Sequence, residues 1–400
     1  MKAVLEKIDL NNLDKSSWEP FRFEDITKRI AESVDPNTTI LEKYIGLEHI
    51  DAENIHIKRF GTPDDVSGGK LKCYPGDVIF GKRRAYQRKA AIADFEGICS
   101  AHAFVFRANP EVIDPKLFPF FLHSDQFMHR AVDISVGGLS PTINWGDLKH
   151  QEFLLPPKDQ QARLAELLWA LDDVIEKEKI NKLNYEQFAK RYLFDSISGK
   201  LSNNFSVWSE YVFGELGESY GGLTGKTKDD FGKGSPFVNY MNVFKNSKVN
   251  PDQVDYVNIE KGESQNELKY GDILITGSSE TPQELGMAAI ILDDLKGFYL
   301  NSFCFGFRLN NFDVLLPEYA RFLMRGEGVR KFMFKHAQGS TRFNLSKITV
   351  KSKLKVMLPK LSEQKQIADK LESMENNLLS FESKISASQS LQKSLINQMF

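Results

Sequence analysis

The chain has little cysteine and little histidine, and it has no long apolar run. Only Cys73, Cys99 and Cys304 occur in 400 residues, with no Cys-x-x-Cys spacing. That usage argues against a disulfide framework or a cysteine-built zinc site and fits a reducing cytosol. The seven histidines form neither His-x-x-x-His nor His-Glu-x-x-His, so no histidine metal site is indicated. Nothing approaches 18 uninterrupted apolar residues, and the charged start lacks the apolar centre of a signal peptide, so no membrane association is expected. With 52 Lys+Arg against 54 Asp+Glu the net charge is −2, which excludes a histone-like coat but not local basic patches.

Catalytic signatures are also scarce. Gly221-Gly222-Leu223-Thr224-Gly225-Lys226-Thr227 is close to a phosphate loop, but Tyr220 stands where the first glycine should be. There is no Asn-Pro-Pro-aromatic motif, no glycine fingerprint after a strand and no clustered acidic metal site. A stand-alone methyltransferase, ATPase or nuclease is therefore not indicated.

The chain does contain a duplication. Apolar residues make up 41 % and charged residues 26 %, ordinary globular values with ample core for two to three domains, and 30 phenylalanines foretell aromatic packing. Trp18 matches Trp208, Tyr44-Ile45-Gly46-Leu47 matches Phe237-Val238-Asn239-Tyr240, and Gly76-Asp77 matches Gly271-Asp272. Phe106-Arg107 matches Phe307-Arg308, Ser140 to Asn144 matches Ser340 to Asn344, and Leu155-Pro156 matches Leu358-Pro359. The matches keep one order, and their offset drifts only from 190 to 203 residues, so each half has the same elements in the same sequence.

Within each half, short β-like runs (Asp77 to Phe80, Ala103 to Phe106, Asp272 to Ile275, Phe303 to Phe307) mix with helices expected over Pro115 to His129 and Pro317 to Lys335. This predicts an α+β chain of four segments: a globular module over 1–157, a long helix over 158–200, a second module over 201–359 and a second long helix over 360–400. Ile367, Leu371, Met374, Leu378, Phe381, Ile385, Leu395 and Met399 keep heptad spacing, and Leu164, Leu168, Leu171 and Ile175 open the same frame in the first helix. Glu178 and Lys182 interrupt that seam. Asp159 and Ser362 are the expected N-caps. A helix of about 35–40 residues spans roughly 55–60 Å. With one apolar stripe it needs a partner, and the other copy, paired antiparallel, is the nearest. That pairing would relate the modules by a pseudo-two-fold axis and place them at opposite ends, with Leu391 also in the buried seam.

Binding chemistry concentrates in the loops. Lys82, Arg83, Arg84, Tyr86, Gln87, Arg88 and Lys89 form a basic run after a predicted strand, read either as nucleic-acid contact or as a solvated face. Arginine grips phosphate or forks onto guanine, and glutamine forks onto adenine. The equivalent stretch of the second half, including Ser278, Ser279, Thr281 and Gln283, is polar without a basic residue, so the two halves would read different sequences. Ser140, Thr142 and Asn144, with Ser340, Thr341, Arg342 and Asn344, suit DNA hydrogen bonds and equally suit helix caps or turns. Lys226 and Lys228 are weaker candidates.

Two variable modules, each followed by a Leu-Pro…Gln segment and a long helix, make a chain that resembles the specificity subunits of type I restriction–modification systems. The carrying residues are Leu155-Pro156-Pro157-Lys158-Asp159-Gln160-Gln161 and Leu358-Pro359-Lys360-Leu361-Ser362-Glu363-Gln364, together with Ala91 to Ser100. The resemblance implies a non-enzymatic reader of double-stranded DNA in a bacterial or archaeal cytoplasm. Each module would read one half of a split, asymmetric site. The helices would space the halves and dock methyltransferase subunits, usually two, and a restriction/translocase subunit would join them. S-adenosylmethionine, ATP and Mg would belong to those partners and no cofactor to this chain. A solitary two-module DNA-binding or scaffold protein is the alternative.

Overall fold

The computed structural model describes residues 15–202 and 207–400. Each module closes on itself through one short antiparallel ribbon. Glu19–Arg22 pairs with Glu152–Leu155, and Ser209–Val212 pairs with Lys355–Leu358. Trp18 and Trp208, which precede these ribbons, are buried. The ribbon brings a module's two chain ends together where a long helix departs.

The apolar runs seen in the sequence are the central strands of two sheets with the same order. In module 1 the order is Thr27–Ile30, Ala103–Ala108, Val78–Gly81, Ala90–Ile92. In module 2 it is Gly217–Gly221, Cys304–Leu309, Ile273–Thr276, Ala288–Ile290. All neighbours are antiparallel. These strands read as continuous apolar runs because both faces are covered. Val78 and Phe80 enter the core shared with the helices, while Ile79 enters a second core with Ala91 and Val105. Ile273 and Ile275 divide from Leu274 in the same way. Burying one such side chain fully is worth about 1.5–3 kcal/mol. The outer sheets differ: four strands in module 1 (Ser33–Val34, Lys70–Cys73, Gly97–Cys99, Tyr44–Ile45) and three in module 2 (Val254–Val257, Phe231–Val238, Tyr299–Leu300).

The matched Gly-Asp and Phe-Arg pairs meet across each sheet. Asp77, fully buried, receives Arg107 through Nε at 2.7 Å and Nη2 at 3.0 Å. Asp272 receives Arg308 at 2.9 and 2.6 Å, and also the Tyr220 hydroxyl at 2.6 Å. The Leu-Pro…Gln segments have a parallel explanation. Buried Gln161 accepts from Asp114 N at 2.6 Å and donates to the carbonyls of Val112 and Pro156. Gln364 accepts from Leu316 N at 2.9 Å and donates to those of Val314 and Pro359. Each glutamine fastens the first turn of a long helix to its module.

Three expectations need correction. Each helix expected in a module is two helices: Phe118–His123 and Asp125–Asp133, then Pro317–Leu323 and Glu327–Lys335. Ser124 (ψ 147°) is extended, closing one helix and capping the next with a hydroxyl that accepts from Phe127 N, whereas Pro317–Leu323 stops at its C-cap Met324 and extended Gly326 (ψ 153°) precedes the next helix. Asp159 and Ser362 lie inside the first turn rather than capping it, because the helices already bond back to the carbonyls of Pro157 and Lys360. Leu391 is 52 % exposed, because the heptad frame places Gln392, not Leu391, on the seam; Ile396 is buried instead.

The long helices are Lys158–Ile197, of 40 residues, and Leu361–Met399, of 39 residues. The chain divides into two compact units, Met1–Asn181 with Phe381–Phe400, and Lys182–Ser380. In the first, Leu164, Leu168, Leu171 and Ile175 share one core with Leu395, Ile396 and Met399. In the second, Tyr185, Ala189 and Tyr192 pack on the core holding Ile367, Leu371 and Met374. The start of each helix thus meets the end of the other, the antiparallel pairing expected. Leu378, Phe381 and Ile385 are half-buried, as are Glu178 and Lys182.

Candidate nucleic-acid interface

In both modules the two candidate segments, remote in sequence, meet at the same end of the central sheet. In module 1 the chain leaves Val78–Gly81 and Arg83 bridges to Thr142. Ile143 N donates to Lys82 O at 2.9 Å, Arg84 N to Pro141 O at 2.7 Å and Arg84 Nε to Ser140 Oγ at 3.1 Å. In module 2, Ser278–Ser279 pairs with Phe343–Asn344. Leu345 N donates to Gly277 O at 2.9 Å, and Arg342 Nε donates to Ser278 Oγ at 2.9 Å.

The basic run is not uniformly displayed. Arg83, Arg84 and Tyr86 are exposed and Gln87 is half-buried. Arg84 and Arg88 hold left-handed backbones (φ 58° and 52°) on either side of the helical turn Ala85–Gln87, whose Ala85 is buried. Such conformations are costly for a residue with a Cβ and persist where surrounding bonds over-determine them. Lys82 Nζ lies 5.2 Å over the Phe104 ring, and Arg29 lies over the same ring at 5.6 Å. Burial, helped by the Arg29 charge, lowers the Lys82 pKa. Arg88 and Lys89 turn inward: Arg88 meets Glu53 and Asp125, and Lys89 Nζ donates to Leu47 O at 2.6 Å. Asn144 is exposed, while Ser140 and Thr142 are half-buried.

In module 2, Ser340, Thr341, Arg342, Asn344, Thr281 and Gln283 are exposed. Arg342 stacks 4.7 Å over Phe303, itself 49 % exposed. Ser278 and Ser279 are buried by their pairing with the neighbouring segment. Lys226 is taken by Glu263 at 2.5 Å, and that lysine holds the glutamate pKa down at about 2. With its lysine paired and only the short turn Lys228–Asp230 following, the near phosphate loop does not cradle phosphate. Lys228 is exposed. Arg29 and Phe303 were missed by sequence reasoning. Phe303 fell at the head of an expected strand that begins instead at Cys304, and its one signal is being an aromatic at a strand boundary.

The remaining reactive groups are ordinary core. Burial pushes the thiols of Cys73 and Cys304 up to about 12, which makes them inert, and pushes His123 down to about 4, so its ring is neutral against Ala90 O. Among the described residues no three metal-binding side chains cluster, and no helix is long and apolar enough to cross a membrane.

Comparison with known proteins points one way. The family model for the type I restriction modification DNA specificity domain matches twice, over residues 15–185 and 206–388. The EcoDI type I restriction enzyme specificity subunit of Escherichia coli is 28 % identical over 191 residues, 44 % of this chain and 42 % of that protein. The chain thus matches less than half the length of that relative. The fold is similar to the HsdS subunit from Thermoanaerobacter tengcongensis, at TM-score 0.53 and 18 % identity over 96 % of this chain and 97 % of that one. It is also similar to a chain solved in a study of complex assembly and conformational transition of the type I R-M system. There the TM-score is 0.62 and the identity 16 %, again over 96 % and 97 % of the two chains.

Proposed function

Since the chain belongs to the type I restriction modification DNA specificity family, we propose that it is the DNA-recognition subunit of a type I restriction–modification complex. The observation that carries this reading is one sheet plan used twice, with different polar chemistry at the same end of each sheet. Module 1 reads one half of a bipartite site with Arg83, Arg84, Tyr86 and Gln87, supported by Lys82, Ser140, Thr142 and Asn144. Module 2 reads the other with Arg342, Ser340, Thr341, Asn344, Thr281 and Gln283, with Lys228 as a further phosphate contact. Arginine and glutamine forks select bases, and the remaining cations hold phosphate.

The long helices set the spacing of the half-sites and dock methyltransferase subunits, two by the family's plan, and a restriction subunit joins that assembly in the cytoplasm. S-adenosylmethionine, ATP and Mg act in those partners, and this chain performs no catalysis. Selection of bound duplexes from a pool with randomised positions tests the reading. The expected result is two short motifs separated by a spacer of constant length. A single continuous motif, or none, contradicts it. Methyl transfer from labelled S-adenosylmethionine by the homogeneous lone chain contradicts the non-catalytic part.

A further inference from the structure

Two arginines beside the proposed reading loops do not face outward, and they solve the same problem in opposite directions. Arg88 belongs to the module 1 loop and reaches back to the helical layer. Its Nε lies 3.0 Å from Glu53 Oε1, and its Nη2 lies 2.7 Å from Asp125 Oδ1 and donates to His123 O at 2.8 Å. Its side chain is 18 % exposed, and its own carbonyl accepts from Glu53 N at 3.0 Å. Arg330 lies on the helix Glu327–Lys335, the module 2 counterpart of Asp125–Asp133, and reaches forward to the loop. Its Nη2 donates to Gln283 O and Leu285 O, both at 2.7 Å.

We propose that Arg88 and Arg330 are positioning residues that hold the two reading loops in shape and so determine which half-site each module selects. This rests on the DNA-reading function proposed above. Two carboxylates already neutralise Arg88, so it is poorly suited to gripping phosphate, whereas its bonds fix where the left-handed turn at Arg88 returns the chain to Ala90–Ile92. The same carboxylates are tied to the end of the second long helix: Lys393 Nζ meets Glu53 at 2.6 Å, and Asn397 Nδ2 donates to Asp125 at 2.6 Å. The module 1 loop is therefore braced against the helix as well as against its own module. In module 2 the loop carbonyls of Gln283 and Leu285 are gathered by one guanidinium, which fixes the path of Thr281 and Gln283.

The test uses the full chain, the randomised duplex pool, and the salt dependence of binding. Arg88→Ala should loosen one half-site, with discrimination there falling about tenfold, and leave the other half-site sharp. Arg330→Ala should do the reverse. Neither should change the slope of log affinity against log salt, whereas removing a cation that grips phosphate lowers that slope by about 0.9. Arg88→Lys and Arg330→Lys should restore part of the lost selectivity. If Arg88→Ala does not fold, Glu53→Gln combined with Asp125→Asn removes the anchors while keeping the arginine, and should loosen the same half-site. Sharp motifs in both halves for the variants, equal loss in both halves for either variant, or a lowered salt slope would overturn the proposal. A wild-type chain that selects no motif overturns the DNA-reading function itself, and this inference with it.

Discussion

In module 1 the outward cations of the proposed reading end, Arg83 and Arg84, come from the loop after Val78–Gly81; in module 2 the exposed arginine, Arg342, comes from the opposite segment and lies on Phe303. Beneath these ends the modules share their strand order, a buried aspartate that holds a partly exposed arginine, and a glutamine staple at the helix start. The aspartates that build the scaffold are enclosed, and they occur in both halves. The groups proposed to read DNA are exposed side chains on loops that send other residues, Ala85 and Ile143 in one module and Leu285 and Leu345 in the other, into the core, so the exposed positions can differ while the loops stay anchored. The two modules also anchor those loops differently, one with an arginine from the loop and the other with an arginine from a helix.

The largest effects should come from breaking what the modules share. Asp272→Ala leaves Arg308 and the Tyr220 hydroxyl without their buried partner and should cost about 3–5 kcal/mol. Asp77→Ala should cost less, about 2–3 kcal/mol, because half-exposed Arg107 can turn to water. Chemical denaturation of the two variants side by side measures the difference, and equal losses would show that the aspartates do the same job in both modules. Next come Gln161→Ala and Gln364→Ala. Each strands a part-buried backbone N–H and two carbonyls and should cost about 1–3 kcal/mol, by similar amounts in the two halves.

Replacing Arg83 and Arg84 by alanine should leave stability nearly unchanged and lower the salt slope of DNA binding by about 0.9 for each phosphate the pair neutralises. Unchanged binding would make this loop a solvated face. The smallest effect belongs to module 1 alone. His56 Nε2 sits 2.5 Å from Asp172, and that hydrogen bond, with the Asp172 and Glu176 charges, raises its pKa against burial and Lys58. A raised folded-state pKa stabilises fully below the unfolded value near 6.5 and is lost as pH climbs through the folded value. The stability gap between wild type and His56→Gln, about 1 kcal/mol at most, should therefore close as pH rises above neutrality. A gap that widens with pH would reverse the assignment.

How much of this was legible in the sequence depended on whether a residue keeps one environment in both halves. Gly76-Asp77 and Gly271-Asp272, Phe106-Arg107 and Phe307-Arg308, and the two Leu-Pro…Gln segments were visible as repeats because the same buried bonds require the same residues. Heptad spacing exposed the helix seam for the same reason. The loops offered no such rule. Composition made Arg83, Arg84 and Arg88 one basic run, and nothing local says that the third bends inward to Glu53 and Asp125. Ser124 and Gly326 divide helices that periodicity reads as continuous, because one extended residue leaves the apolar spacing almost intact. Arg29 joins Lys82 only through the ring of Phe104, a tertiary meeting invisible in the chain.

In the proposed function two independent readers are held by a shared pair of helices. Its most direct test is to insert one heptad into each long helix, near Glu178 to Lys182 and near Leu378 to Ile385, and to select duplexes again. Seven residues add about 10 Å of helix, roughly three base pairs of duplex. The expected result is the same two half-site sequences separated by a spacer longer by about three base pairs. An unchanged spacer with altered half-site sequences would contradict it.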